Sequence, residues 1–145
     1  MIYLRYFLGL CAGLVLALLL VIAVEYYSNL VHPFPEELLA KSPHEITTDE
    51  ICMHVSNYPP WVLGTVLLLW GLVAAASCGL GGWIGGTFAS LSVAAVLFLM
   101  LVINLLMLPY PEWFQLGMLV SFLTAAQLAV RWTRRRSSTR ANPAT

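Results

Sequence analysis

The chain has 145 residues, 60% of them hydrophobic and 10% charged, with a mean hydropathy of +0.83. That is one domain at most, and one too apolar to divide into a dry core and a wet surface, so its solvent is lipid. Seven acidic and seven basic residues cancel to a net charge of zero, and no nucleic-acid partner is expected. The cancellation hides a segregation. Arg5, Arg131, Arg134, Arg135, Arg136 and Arg140 lie at the termini; Glu25, Glu36, Glu37, Glu45, Asp49, Glu50 and Glu112 lie between or beside the apolar runs, with Lys41 among them.

Crossing ~30 Å of hydrocarbon takes about 20 apolar residues in a helix. Four stretches qualify, at about 6–24, 61–78, 83–108 and 113–130, and none has an ionisable Asp, Glu, Lys, Arg or His in its interior. The first, "YFLGLCAGLVLALLLVIAV", ends in a "VIA" that a signal peptidase tolerates, but its apolar run is longer than a signal peptide's and only one base precedes it. It reads as a retained span. Gly9, Gly13 and Ala17 repeat every fourth residue along it, a small-residue face on which another helix can approach closely. Glu25 follows 20 residues after Arg5, which puts it ~30 Å away at the far interface rather than at the midplane that a proton-coupled carboxylate needs.

Residues 25–60 form the long polar segment. Ser42-Pro43-His44-Glu45 has the form of a capping box with proline at the first helical position, and Thr47-Thr48-Asp49-Glu50 offers a second start. With Ile46, Ile51, Met53 and Val55 as its apolar side, a short amphipathic helix ending before Pro59-Pro60 is expected. His32, His44, Cys52 and His54 are candidate metal ligands by residue type. Their spacing matches no established site, and positions two apart on a helix, such as Cys52 and His54, point about 200° apart. Solvated loop residues are the expectation, with no metal and no cofactor. Cys11 and Cys78 read as small hydrophobes; Cys52, on an oxidising face, is free or an intermolecular bridge.

The stretch "CGLGGWIGGTFAS" places five glycines within residues 79–86. A dinucleotide fingerprint fails, because Ile84 stands where the third glycine belongs, and a phosphate loop fails for want of a lysine. Glycines 79–82 are expected to reverse the chain between the second and third spans. Gly82, Gly86 and Ser90, four apart, then form a packing face on the third span; the second has Gly71, Ala75 and Gly79, and the fourth has Gly117, Ser121, Ala125 and Ala129. Asn104, one turn inside the third span, and Gln127, near the end of the fourth, are expected to make ordinary interhelical hydrogen bonds.

Short loops rich in Arg stay in the cytoplasm. "RWTRRRSSTR" therefore places the C-terminus inside, and four spans bring the N-terminus back beside it. Tyr26, Tyr27, Tyr58, Trp61, Tyr110 and Trp113 then mark the outer interface, and Tyr3, Tyr6, Trp83 and Trp132 the inner one. The expected architecture is all-α: an antiparallel four-helix transmembrane bundle over residues 1–132 with a short outer amphipathic helix, followed by a basic, disordered cytoplasmic tail over 133–145.

An acid with "HPFP" after the first span, "GLGGWIGG" after the second and "NLLMLPYPEWF" between the third and fourth resemble small bacterial four-span inner-membrane proteins with no assigned function. The resemblance implies a bacterial inner-membrane setting and carries over no catalytic residue. The reading that follows is a non-enzymatic structural or accessory component, surrounded by lipid and packed against itself or a larger membrane protein. An oligomeric permeation path using Asn104 and the Ser and Thr hydroxyls is one rival; a metal-responsive outer loop is the other.

Overall fold

The computed structural model of the chain describes residues 2–36, 40–42 and 45–141, with 137–141 as backbone alone. The described residues form five main helices and no strand: α1 (Ile2–Val31), α2 (Thr48–Ser56), α3 (Pro60–Gly85), α4 (Thr87–Met107) and α5 (Glu112–Ala141). α1, α3, α4 and α5 are each long and apolar enough to cross a membrane. The chain is an all-α, four-helix membrane bundle, with α2 at the end remote from the termini; we call this the capped end.

Local chemistry sets most helix limits. Thr47 caps α2 through a complete capping box: its hydroxyl accepts from the Glu50 N–H at 3.3 Å, and the Glu50 carboxylate accepts from the Thr47 N–H at 2.9 Å. Of the two candidate starts this is the one used; Pro43 and His44 lie outside the described residues. Pro60 stands in the first turn of α3, where its missing N–H leaves nothing unpaired. At the next turn of the capped end, Leu108 is extended before Pro109, which ends α4, and the Pro111 carbonyl accepts from Phe114 N–H at 3.0 Å to start α5.

α3 packs against each of the other long helices, whereas no Cα of α1 comes within 8 Å of a Cα of α5 among the described residues. The α1 face is Gly9, Gly13, Ala17, Val24 and Ser28, the small-residue stripe continued past the expected end of the span. A Cβ built on Gly9 would stand 2.5 Å from the Gly85 nitrogen and 2.6 Å from the Gly81 carbonyl oxygen; one on Gly13 would stand 2.9 Å from the Ser77 carbonyl oxygen. α1 and α3 therefore meet backbone to backbone. On the other side of α3, Ser121 of α5 donates to the Leu67 carbonyl at 3.3 Å and fills the space beside Gly71. Leu97, Leu101, Phe114, Met118 and Phe122 close the centre between α4 and α5.

Three expectations are corrected. The reversal between the second and third spans falls at Gly86, not at 79–82, and α3 stays helical to Gly85. Gly86 has φ 83° and ψ −174°, a conformation essentially confined to glycine, and is the one positive-φ residue described. It is thus no part of a packing face: nothing lies within 4 Å of a Cβ built there. Gly79 is also uncovered, while Gly81, Gly82 and Gly85 do the packing. Finally, α5 continues through the basic segment to Ala141, where a disordered tail from 133 was expected. Arginine is a good helix former, extending an existing helix needs no new nucleus, and positive charge suits a helix C-terminus. Residues 142–145 lie outside the described part.

Candidate functional site

The capped end holds the densest group of polar and aromatic side chains. α1 carries Ser28 to the Tyr58 hydroxyl, with which it shares a hydrogen bond of 3.0 Å, tying the first span to the link between α2 and α3. Beyond α1, His32 stacks on His54 of α2 with ring centroids 4.7 Å apart and planes 17° from parallel. Phe34 stacks on the same imidazole at 4.2 Å, and Tyr58 meets it edge-on at 5.3 Å. These rings, with buried Val55, seat α2 on the bundle. On its outer side the Lys41 ammonium pairs with the Glu50 carboxylate, which lowers the Glu50 pKa in an exposed setting.

Beneath α2 lies a cavity of about 240 Å³. Glu25, Ser28 and Asn29 of α1, His54, Tyr58 and Tyr110 supply its polar wall. Asn104 of α4 also reaches it, and Leu63, Val66, Trp70, Phe114 and Met118 form its apolar part. From Leu63 to Trp70 the cavity follows seven residues of α3, ~10 Å along that helix and about a third of the thickness of the hydrocarbon.

Burial, and secondly the neighbouring His32, lower the His54 pKa below its ordinary value, so this imidazole is neutral at pH 7. Its Nε2 and that of His32 are buried without a hydrogen-bond partner among the described residues. Burial, then Glu25 and Tyr58, push the Tyr110 phenol up to about 12; it keeps its proton and remains a donor. The site can therefore bind and orient a small molecule through a carboxylate, a neutral imidazole, phenols and an amide, over an apolar floor.

The four candidate metal ligands separate. His32 and His54 come together, but nearly parallel stacked rings direct their lone pairs along two planes rather than onto one ion. Cys52 is half-buried and does not line the cavity, and all three cysteines are free. His44 lies outside the described residues. No group of three His, Cys, Asp or Glu side chains that could hold a metal occurs among the described residues.

The other candidates are distributed through the bundle. Gly82 faces Thr133 and Ser90, and Gly117 faces the Leu67 side chain. Ala125 packs half-buried against the core, while Gln127 is exposed on the bundle surface. Asn104, expected to pair helices or, in the permeation rival, to line a path, is a cavity residue. Sequence reasoning missed Ser28, Tyr58, Trp70 and Tyr110, and took Glu25 for an interface residue alone. One signal was available. Val24 and Ser28 stand seven and eleven residues after Ala17, in phase with Gly9 and Gly13, so the packing face of α1 runs on past Glu25.

No protein-family model, curated protein or solved structure gives a significant match to this chain.

Proposed function

We propose that the chain is a non-enzymatic, multi-pass component of a bacterial inner membrane, with both termini cytoplasmic, that works by packing against a larger membrane protein. The observation that carries this reading is the contrast between two sides of α3. Gly81 and Gly85 are covered by the backbone of α1. Ala75, Ala76 and Gly79 instead line two apolar grooves that share the two alanines, one of about 760 Å³ toward α1 and one of about 450 Å³ toward Trp83 and Trp132. The grooves exist because α1 and α5 do not meet over this side. A further apolar helix fits there by the same close approach that holds the bundle together.

The rival permeation reading has less support. Backbones in contact at Gly9, Gly13, Gly81 and Gly85 close the half of the bundle nearest the termini. Hydroxyls within the spans are spent on carbonyls of their own helices: Thr124 on Val120 at 2.7 Å and Thr65 on Trp61 at 3.0 Å.

Gly79→Leu tests the proposal, since its Cβ would have no atom of the chain within 4 Å and its side chain enters the groove. Extracted in a mild detergent, the parent should run with another membrane protein in a complex well above its own 16.0 kDa. The variant should keep its thermal stability and lose that partner. A parent that runs alone overturns the accessory reading, and ion flux through vesicles holding the purified parent would replace it with permeation. Self-association alone would make the partner a second copy.

A further inference from the structure

The cavity at the capped end shares only Val24 with the grooves on α3, and its chemistry selects a ligand. Of the side chains lining it, Glu25 is the one carboxyl, His54 is neutral, and no lysine or arginine reaches it. The field inside therefore favours a cation and opposes an anion. Around it stand the rings of Tyr58, Tyr110, Phe114 and Trp70, whose electron-rich faces attract a positive charge, most strongly where water is excluded.

His54 gives a second, independent indication. It is only 7% exposed, lines the cavity, and its Nε2 has no partner among the described residues. A buried nitrogen of this kind calls for a hydrogen bond. An ammonium has donors and no acceptor, so it needs the acceptors this wall offers: the Glu25 carboxylate, the Asn104 carbonyl oxygen and a neutral imidazole nitrogen. The floor at Trp70, Phe114 and Met118 offers no such group that is charged, and suits a compact apolar body. A bare inorganic cation would leave that floor uncovered.

We propose that this cavity is a binding site for a small primary amine with a compact apolar body, held as its ammonium by Glu25 and reaching down to Trp70, Phe114 and Met118. The ammonium sits among the acceptors and tyrosine rings near the mouth, and the apolar body displaces water from the floor. α2, seated by the His32–His54–Phe34 stack, covers the occupied site.

The test uses the full chain in nanodiscs of zwitterionic lipid, with empty nanodiscs correcting for partition of the probe into the bilayer. Three probes of one shape are compared by calorimetry at pH 7: phenethylamine, 2-phenylethanol and phenylacetate. Phenethylamine should bind saturably with one site per chain, at least tenfold tighter than the alcohol, and phenylacetate should not bind. Glu25→Gln should cost at least tenfold in phenethylamine affinity, while Glu112→Gln, a carboxylate exposed like Glu25 at the same end but outside the cavity, should leave it unchanged. Equal binding of alcohol and amine, preference for phenylacetate, or no saturable binding of phenethylamine overturns the proposal. So does full affinity in a folded Glu25→Gln protein. The three probes decide the matter on the parent alone if that variant fails to fold.

Discussion

A Cβ on Gly9 would press on the backbone of Gly85, and backbone cannot swing aside as a side chain can. Gly9→Ala therefore has to push α1 away from α3, and overpacking of this kind costs ~1–3 kcal/mol. Gly79 has open space around it in an ordinary helical conformation, so Gly79→Ala should be neutral or stabilise by ~0.4–1 kcal/mol through the unfolded chain. Gly86 differs from both. Its surroundings are empty, but φ 83° with ψ −174° strains any residue that has a Cβ. Gly86→Ala should lose ~1–3 kcal/mol, and Gly86→Leu about the same, because the strain arises at the first carbon. Thermal retention of the folded state in detergent ranks the four variants. A neutral Gly86→Ala would mean that the chain reverses elsewhere.

At the scale of an element, α2 is a nine-residue helix too short to stand by itself in water. Its capping box supports the first turn and the aromatic stack seats the last. That stack contains two imidazoles in contact, with His54 held below its ordinary pKa first by burial and then by His32. The unfolded helix accepts a proton near the ordinary histidine value of ~6.5, before the docked one does. Docking stability is thus complete above that pH and is lost as pH falls through the lowered value. Tyr58 and Phe34 are the other groups against the ring, and neither charges in that range. Amide exchange within 48–56, corrected for its intrinsic pH dependence, should accelerate between pH 7 and pH 5. His54→Phe keeps an aromatic face and should remove the acceleration. Equal protection at both pH values in the parent would show that His54 does not control docking.

Across the whole molecule the two ends are unlike. Near the termini α1 and α3 meet through glycine backbones, with a groove left beside Trp83 and Trp132; at the capped end the helices diverge around a cavity roofed by α2. Arginines at the closed end, including Arg136 over the Trp132 ring at 4.3 Å, give that end the sign of a cytoplasmic face. A reporter active only in the cytoplasm should therefore work when fused after Gly86 or after Thr145, and fail after Lys41. Activity at Lys41 would invert the arrangement and turn the cavity inward.

Sequence alone determined the number of spans, their approximate limits and the segregation of charge, and it offered Thr47 as one of two starts for α2. Each of these depends on residues close together in the chain: apolar run length, a capping box, proline at a helix edge. It could not decide which glycine turns the chain, which side of α3 packs, or that Glu25, His54 and Tyr110 share a cavity. In a soluble helix, polarity marks the buried side; a helix in lipid is apolar all round, so its contact face is chosen by the shape of its neighbours. Gly82 and Gly86 look alike in the sequence, four residues apart among small neighbours. One stays helical with Thr133 and Ser90 closed on it, and the other turns at positive φ with nothing beside it. That outcome is set by how the whole helices pack rather than by open space alone, since Gly79 is equally uncovered and helical.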